Sequence, residues 1–393
     1  MKLINVITVL IILSSCSKKT GGSPVENKNP LLSITDVQQQ RDNSATINFR
    51  FTVNVENPST KAITVQYTTA DGNAKANTDY TSSSGSLTIP ASQNSIAIDI
   101  PVRGDSLRDV QKIFYVQLSN PVNATIYGTG KGTGTIICDG NYIPVDSAGY
   151  STPLTYPGYT LVWSDEFNGN ALDNTSWNYE TGGNGWGNNE LEYYTNSSKN
   201  SFITKGGYLV IEARSETIGS NNYTSARITT MGKKEFKYGR VDIRAKLPTG
   251  KGMWPALWML GSNITTTQWP ACGEIDMMEL LGHEPNKIYG TMHWGNAGGA
   301  STHIGGNYTL PAGDFSQKFH VFSIIWTTDK IEWYIDDQKY FTGNKTDVTG
   351  NYPFDKSFFF IFNVAVGGNW PGNPDGSAIF PQRMIVDYIR VFQ

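Results

Sequence analysis

The stretch CGEIDMMELLG, residues 272–282, decides how the chain is read. Glu274 and Asp276 alternate with Ile275 and Met277, the period-two pattern that places strand side chains on opposite faces. Continued strictly, that pattern sets Met278 beside the two acids and turns Glu279 into the apolar side, where an unpaired carboxylate is costly. One extra residue removes the conflict. A β-bulge at Met277–Met278 resets the phase and returns Glu279 to the face of Glu274 and Asp276, and bulges concentrate beside active sites, where they re-aim a side chain. The stretch predicts a strand with one acidic and one core-facing side.

Its surroundings read the same way. From about residue 158 to Gln393, apolar and polar residues alternate in GYLVIEAR, GRVDIRAKLP, KIEWYID and MIVDYIRVF, and no long helical period appears. About 235 residues of this kind predict a large antiparallel sandwich. A first block, about 30–139, also alternates (ATINFRFTVNV, AITVQYTT, SIAIDIPV) and predicts a smaller sandwich of about seven strands. Between them NYIPVDSAGYSTPLTYPGY, rich in Pro, Gly, Ser and Tyr, reads as a linker over 140–157. With 393 residues, 40 glycines and 12 % aromatics, the chain fits two all-β domains. Its 31 Lys+Arg and 34 Asp+Glu nearly balance, which argues against a nucleic-acid partner.

Three carboxylates on one face repel each other unless they share protons or do chemistry. Two glutamates flanking a small acid suit glycoside hydrolysis by double displacement: one ionised, attacking the anomeric carbon, the other protonated, releasing the leaving oxygen. That chemistry wants the carboxyls about 5–5.5 Å apart. Four pleat steps on a flat strand separate Cα atoms by about 13 Å. The strand must therefore curve, with the acids inside the curve. The competing reading is an oxygen-ligand calcium site, but such cages draw on glycine- and carbonyl-rich loops rather than an apolar strand. In GMWPALWML, Trp254 and Trp258 share a face with Ala256, either as a platform for pyranose rings or as core. His293, on a face with Thr291, is either structural or a partner of the acids. GNGWGNNELEYYT (183–195) and VGGNWPG (366–372) read as binding loops, the latter carrying Trp370, or as turns with aromatic plugs.

The second block resembles the family 16 glycoside hydrolases, most nearly those of the laminarinase type. The resemblance rests on GEIDMMELLG, WSDEFNG (163–169), WGNNELEYYT, SARITTMGKKEFKYGRVDIRAKLPTGKGMWPALWMLG (225–261), GTMHW and NVAVGGNWPG. It implies a concanavalin-like β-jelly-roll with a cleft on its concave face and a retaining endo-β-1,3-glucanase that needs no cofactor for catalysis. Mixed-linkage β-glucan and galactan remain alternative substrates, and a glycan-binding protein without turnover is the alternative outside enzymology. Carried over, Glu274 is the nucleophile, Glu279 the acid/base, and Asp276 and His293 support them. Asn189, Glu190, Arg227, Trp254, Trp258, Trp269 and Trp370 contact sugar. A structural calcium is implied on the convex side, through the carbonyls of Glu166 and Gly207 and the side chain of Asp387.

The first block resembles a Calx-beta domain, through VQYTTADGNAKANTDY (65–80), SGSLTIP, IDIPVRGDS and FYVQLSNPVNATI (114–126). After GDS it reads LRDVQKIF, poorer in acids than the calcium-binding pattern, so a spacer is expected, with glycan or partner binding as alternatives. At the N-terminus Lys2 precedes an apolar run over residues 3–13, too short to span a bilayer and fitting a signal peptide over 1–15. LSSC resembles a lipobox ending at Cys16, which implies lipidation there, a tether over 16–29 and a monomeric lipoprotein at the outer membrane or cell surface. Cys138 and Cys272 are expected to stay apart as buried thiols, although export permits a disulfide.

Overall fold

A computed structural model of the chain describes residues 29–105, 111–138 and 143–393. The signal segment and Cys16 lie outside the described residues. The chain forms two compact units, one built on Thr46–Arg103 and Lys112–Ile136, the other on Ile137–Gln393.

The first unit is a β-sandwich of a four-stranded and a five-stranded sheet, more strands than the seven expected because short edge strands such as Val37–Gln40 and Thr125–Ile126 join the ladders. Ile47–Glu56 buries every second residue, Phe49, Phe51, Val53 and Val55. Phe49 and Phe51 meet Phe114 of the other sheet, which stacks on Tyr80 at 4.5 Å between ring centroids. The acids of its DGNAKANTDY turn are engaged internally: Lys112 Nζ lies 3.0 Å from Asp79, and Tyr80 and the Ala76 amide donate to Asp71.

The second unit is a jelly-roll sandwich of two large antiparallel sheets. The cleft sheet has seven strands in the order Asn178–Glu180, Arg227–Thr229, Phe358–Val366, Met253–Gly261, Glu274–Leu280, Lys287–Gly295, Ser301–Thr309. The back sheet, of eight strands, is centred on Gln382–Phe392 and Gly239–Lys246. Alternation sorts each cleft-sheet strand. In Phe358–Val366 the residues Phe358, Phe360, Phe362, Val364 and Val366 enter the core between the sheets, while Asn363 and Ala365 line the cleft. In Met253–Gly261, Met253, Leu257 and Met259 enter the core, and Trp254, Ala256, Trp258 and Leu260 line the cleft. Cys138 and Cys272 are both buried and form no disulfide with each other; burial and the neighbouring Glu274 push the Cys272 thiol up to about 11.

The segment expected as a linker over 140–157 is, from Ser147 onward, a strap on the back sheet. Phe319 donates to the Ala148 carbonyl and accepts from the Tyr150 amide. Tyr388 binds Thr152 through backbone and hydroxyl, and Tyr156 donates to Asp242 at 2.8 Å. Arg244 binds the carbonyls of Ser147 and Tyr150 and pairs with Asp387 at 2.5 Å. The Pro, Gly and Tyr content that suggested a linker instead serves an extended path whose tyrosines and carbonyls find partners on the sheet. Arg244→Met removes three charge-assisted bonds; at about 1.5 kcal/mol or more each, less what water restores, the loss should lower Tm by roughly 5–10 °C. Calorimetry of the full chain checks this, with kcat unchanged because the strap is on the back sheet.

Candidate active site

The bulge is present where the spacing requires it. Against Met253–Gly261 the pairs run Leu257↔Met278 and then Trp258↔Asp276, leaving Met277 without a partner. Against Lys287–Gly295 they run Asp276↔Thr291 and then Glu279↔Tyr289. Met277 and Met278 both enter the core with Ile275 and Leu280, while Glu274, Asp276 and Glu279 line the cleft. Two features hold the irregularity. Gly290 lies opposite it, where a Cβ would collide with the Trp333 ring. Trp333, from the back sheet, comes through that gap and its indole donates to the Asp276 carbonyl at 2.8 Å.

The cleft above has a volume of about 770 Å³. Trp269 Nε1 donates to Glu274 Oε2 at 3.0 Å and Trp254 Nε1 to Glu279 Oε1 at 3.0 Å. His293 Nε2 lies 3.2 Å from Asp276 Oδ2 and 3.7 Å from Glu274 Oε1, with Nδ1 3.2 Å from the Ser301 hydroxyl. Asp276 is 3 % exposed, and its Oδ2 makes no hydrogen bond among the described residues. Burial pushes all three carboxyls up to about 8. The charge of Asp276 adds to the rise at both glutamates; His293 and Trp269 pull Glu274 back, as Trp254 and His293 pull Glu279. Donors too few to ionise three crowded acids leave protons among them at neutral pH.

One wall of the cleft is aromatic and fixed. Arg227 pairs with Glu180 at 2.5 Å and lies 4.8 Å from the rings of both Trp186 and Trp258. Trp370, 41 % exposed, meets Trp254 and Tyr289 edge to face. Glu190, Arg227, Trp254, Trp258, Trp269 and Trp370 all line the cleft. Asn189 does not. Its backbone is left-handed, φ 57°, and its amide reaches Asn369 at the rim at 2.8 Å, while Asn188 takes the place in the lining. Sequence reasoning passed over Trp186, Tyr289, His303 and Asn363. Alternation through KIYGTMHW puts Tyr289 with Thr291 and His293, and Asn363 is the lone polar residue in FFFIFNVAV.

Of the expected calcium ligands, the carbonyls of Glu166 and Gly207 have no side-chain competitor among the described residues, whereas the Asp387 side chain has a partner. Both Glu166 carboxylate oxygens bind Arg390, at 2.8 and 2.7 Å, and the Asp387 side chain pairs with Arg244. Calcium needs six to eight oxygens. Among the described residues, Glu274, Asp276 and His293 are the group whose ligand atoms come within 4.8 Å of one another. An imidazole between the acids, with indole N–H groups capping the outer two, suits protonated and ionised carboxyls rather than a hard cation.

Because Asp276 raises Glu279 electrostatically, Asp276→Asn should move the basic limb of the activity profile, set by loss of the Glu279 proton, to lower pH. Trp254→Phe removes a bond that favours the ionised form and should move the same limb to higher pH. Profiles of kcat/KM measured from pH 5 to 10 check both signs.

A family model described as glycosyl hydrolases family 16 matches residues 188–390, and one described as the Calx-beta domain matches 26–140. The chain is 41 % identical over 300 residues to glucan endo-1,3-beta-glucosidase A1 of Niallia circulans, covering 70 % of this chain but only 43 % of that longer protein. It is 43 % identical over 253 residues to a beta-glucanase of Rhodothermus marinus, covering 60 % of this chain and 86 % of the relative. Among solved structures, the laminarinase catalytic domain of Thermotoga maritima superposes with a TM-score of 0.56 at 52 % identity, covering 60 % of this chain and 98 % of that one. With its bulged acid triad and aromatic cleft, the chain belongs to family 16 of the glycosyl hydrolases.

Proposed function

We propose that the protein is a retaining endo-β-1,3-glucanase acting on laminarin-like polymers. The observation that carries the reading is one bulged strand presenting Glu274, Asp276 and Glu279 to an open cleft, in a chain similar to a glucan endo-1,3-beta-glucosidase, a beta-glucanase and a laminarinase catalytic domain. Glu274 has two N–H neighbours, Trp269 and His293, which favour its ionised form, and so it is the nucleophile. Glu279, with one indole donor, holds the proton. In the first step a Glu274 oxygen bonds the anomeric carbon as the glycosidic bond breaks, and Glu279 gives its proton to the departing oxygen. In the second, Glu279 takes a proton from water, whose oxygen bonds the same carbon and expels Glu274. Asp276, between them, shares the remaining proton, so that no step piles three charges on one face. Two carboxyls and water complete the reaction, without a cofactor.

The polymer runs between the Arg227–Trp186–Trp258 wall and the polar edge strand bearing His303 and Asn307, over the indoles of Trp254, Trp269 and Trp370. The chain acts as a monomer, held at the cell surface by a lipid on Cys16; the LSSC motif supports that placement. Glu274→Ser should reduce the release of reducing ends from laminarin by roughly 10⁴-fold or more, while binding of laminarin by Glu274→Ser persists. Equal rates in variant and wild type would refute the assignment, and faster turnover of mixed-linkage glucan or a galactan in a substrate panel would change the polymer but leave the chemistry.

A further inference from the structure

Behind the aromatic wall lies a buried acid pair that the chemistry above does not use. Glu192, on the short strand Glu192–Tyr194, is fully buried, and Glu190 is 7 % exposed at the cleft edge. The hydrogen bonds around them have a fixed direction. The Trp258 indole can only donate, and it donates to Asn363 Oδ1 at 2.8 Å. The Asn363 amide nitrogen then donates to the Tyr194 hydroxyl at 3.0 Å. Tyr194 therefore spends its own proton on Glu190 Oε2, at 2.9 Å, and Asn188 donates to Glu190 Oε1. Every proton in the chain points at Glu190, which is the acceptor and carries the charge.

Glu192 stands on the other side. Its Oε2 accepts from the Val366 amide at 2.6 Å, while its Oε1 has no hydrogen-bond partner among the described residues, and the carboxyl of Glu190, two residues away on the same side of the chain, acts on it. Two neighbouring buried carboxylates with no cation between them resist being charged together. With Glu190 supplied by two donors, the proton of the pair belongs on Glu192 Oε1, and a hydroxyl there meets the Glu190 carboxylate. Burial, followed by the charge of Glu190, holds the Glu192 carboxyl well above the usual range.

We propose that Glu192 is a neutral carboxylic acid that acts as a positioning residue for glucan binding: its proton fixes Glu190, and through Tyr194 and Asn363 the Trp258 indole, in the wall of the cleft. Its role is in holding the polymer and not in the bond-breaking step. The kinetic part rests on the glucanase reading, whereas the protonation state does not.

The test has two arms. Difference infrared spectroscopy of the full chain at pH 7 should show the carbonyl stretch of a buried protonated carboxylic acid that is lost in Glu192→Gln. If no such band disappears, the neutral acid is refuted whatever the protein's substrate. In kinetics on laminarin, Glu192→Gln keeps an acceptor for Val366 and a donor for Glu190, and should retain kcat/KM within about threefold. Glu192→Leu supplies neither and should raise KM about tenfold or more with kcat within about threefold. Equal loss in both variants, a loss mainly in kcat, or no loss in either overturns the positioning role. If Glu192→Leu does not fold, Tyr194→Phe breaks the next link and should reproduce the KM effect; an unchanged KM there overturns the proposal equally.

Discussion

The bulge at Met277–Met278 is the constraint on which the site depends. A regular strand could neither bury both methionines nor put all three acids on one face. The irregular one does both, at the expense of an interrupted ladder between Asp276 and Glu279. A backbone carbonyl at such a break needs another donor, and the Asp276 carbonyl finds one in the Trp333 indole. That indole fits because position 290 has no side chain. The back sheet thus reaches through the core to hold the backbone of the cleft sheet at the one place where it is irregular. A tryptophan on one sheet and a glycine on the other, neither of them in the cleft, fix where the three cleft acids stand.

The unit handles its buried and half-buried acids in two ways. On the back sheet, guanidinium groups neutralise them: Arg240 binds Asp242, Arg383 binds Glu212, Arg244 binds Asp387 and Arg390 binds Glu166. In and behind the cleft wall, the two glutamates of the triad and the Glu190–Glu192 pair receive only indole, phenol and amide hydrogen bonds among the described residues, with the His293 imidazole 3.2 Å from Asp276. The one arginine of the cleft wall, Arg227, is committed to Glu180. Arginine keeps a carboxylate ionised at all working pH values. Weaker donors leave it free to hold and pass a proton. The division of arginines between the two sheets is therefore also a division between acids that bear load and acids that titrate.

Much of this was legible in the sequence because strand alternation is a local code. The phase error in EIDMMEL announced the bulge, and alternation through GMWPALWML and GTMHW placed Trp254, Trp258 and His293 on the cleft side. What sequence could not supply was any feature set by residues far apart in the chain. Trp333 and Gly290 look ordinary until the two sheets are stacked. Asn188 and Asn189 are neighbours of the same type, and only the left-handed turn at Asn189 decides that its amide goes to Asn369 while Asn188 lines the cleft. The carbonyls of the 147–157 strap find Arg244, about a hundred residues on, a pairing no local pattern predicts.

That strap also sets how the catalytic unit would respond to a pull. A chain that entered the sandwich directly at its first core strand would pass tension to the ladder beneath the cleft. Here the incoming polypeptide first lies along the back sheet, clamped at Ser147, Tyr150, Thr152 and Tyr156 and finally zipped to Gln393 through Thr160. Tension from the N-terminal side would load those bonds together, in shear, before it reached any strand that carries a catalytic acid. An enzyme working on an insoluble polymer while attached to something else would have its anchorage mechanically separated from its active site.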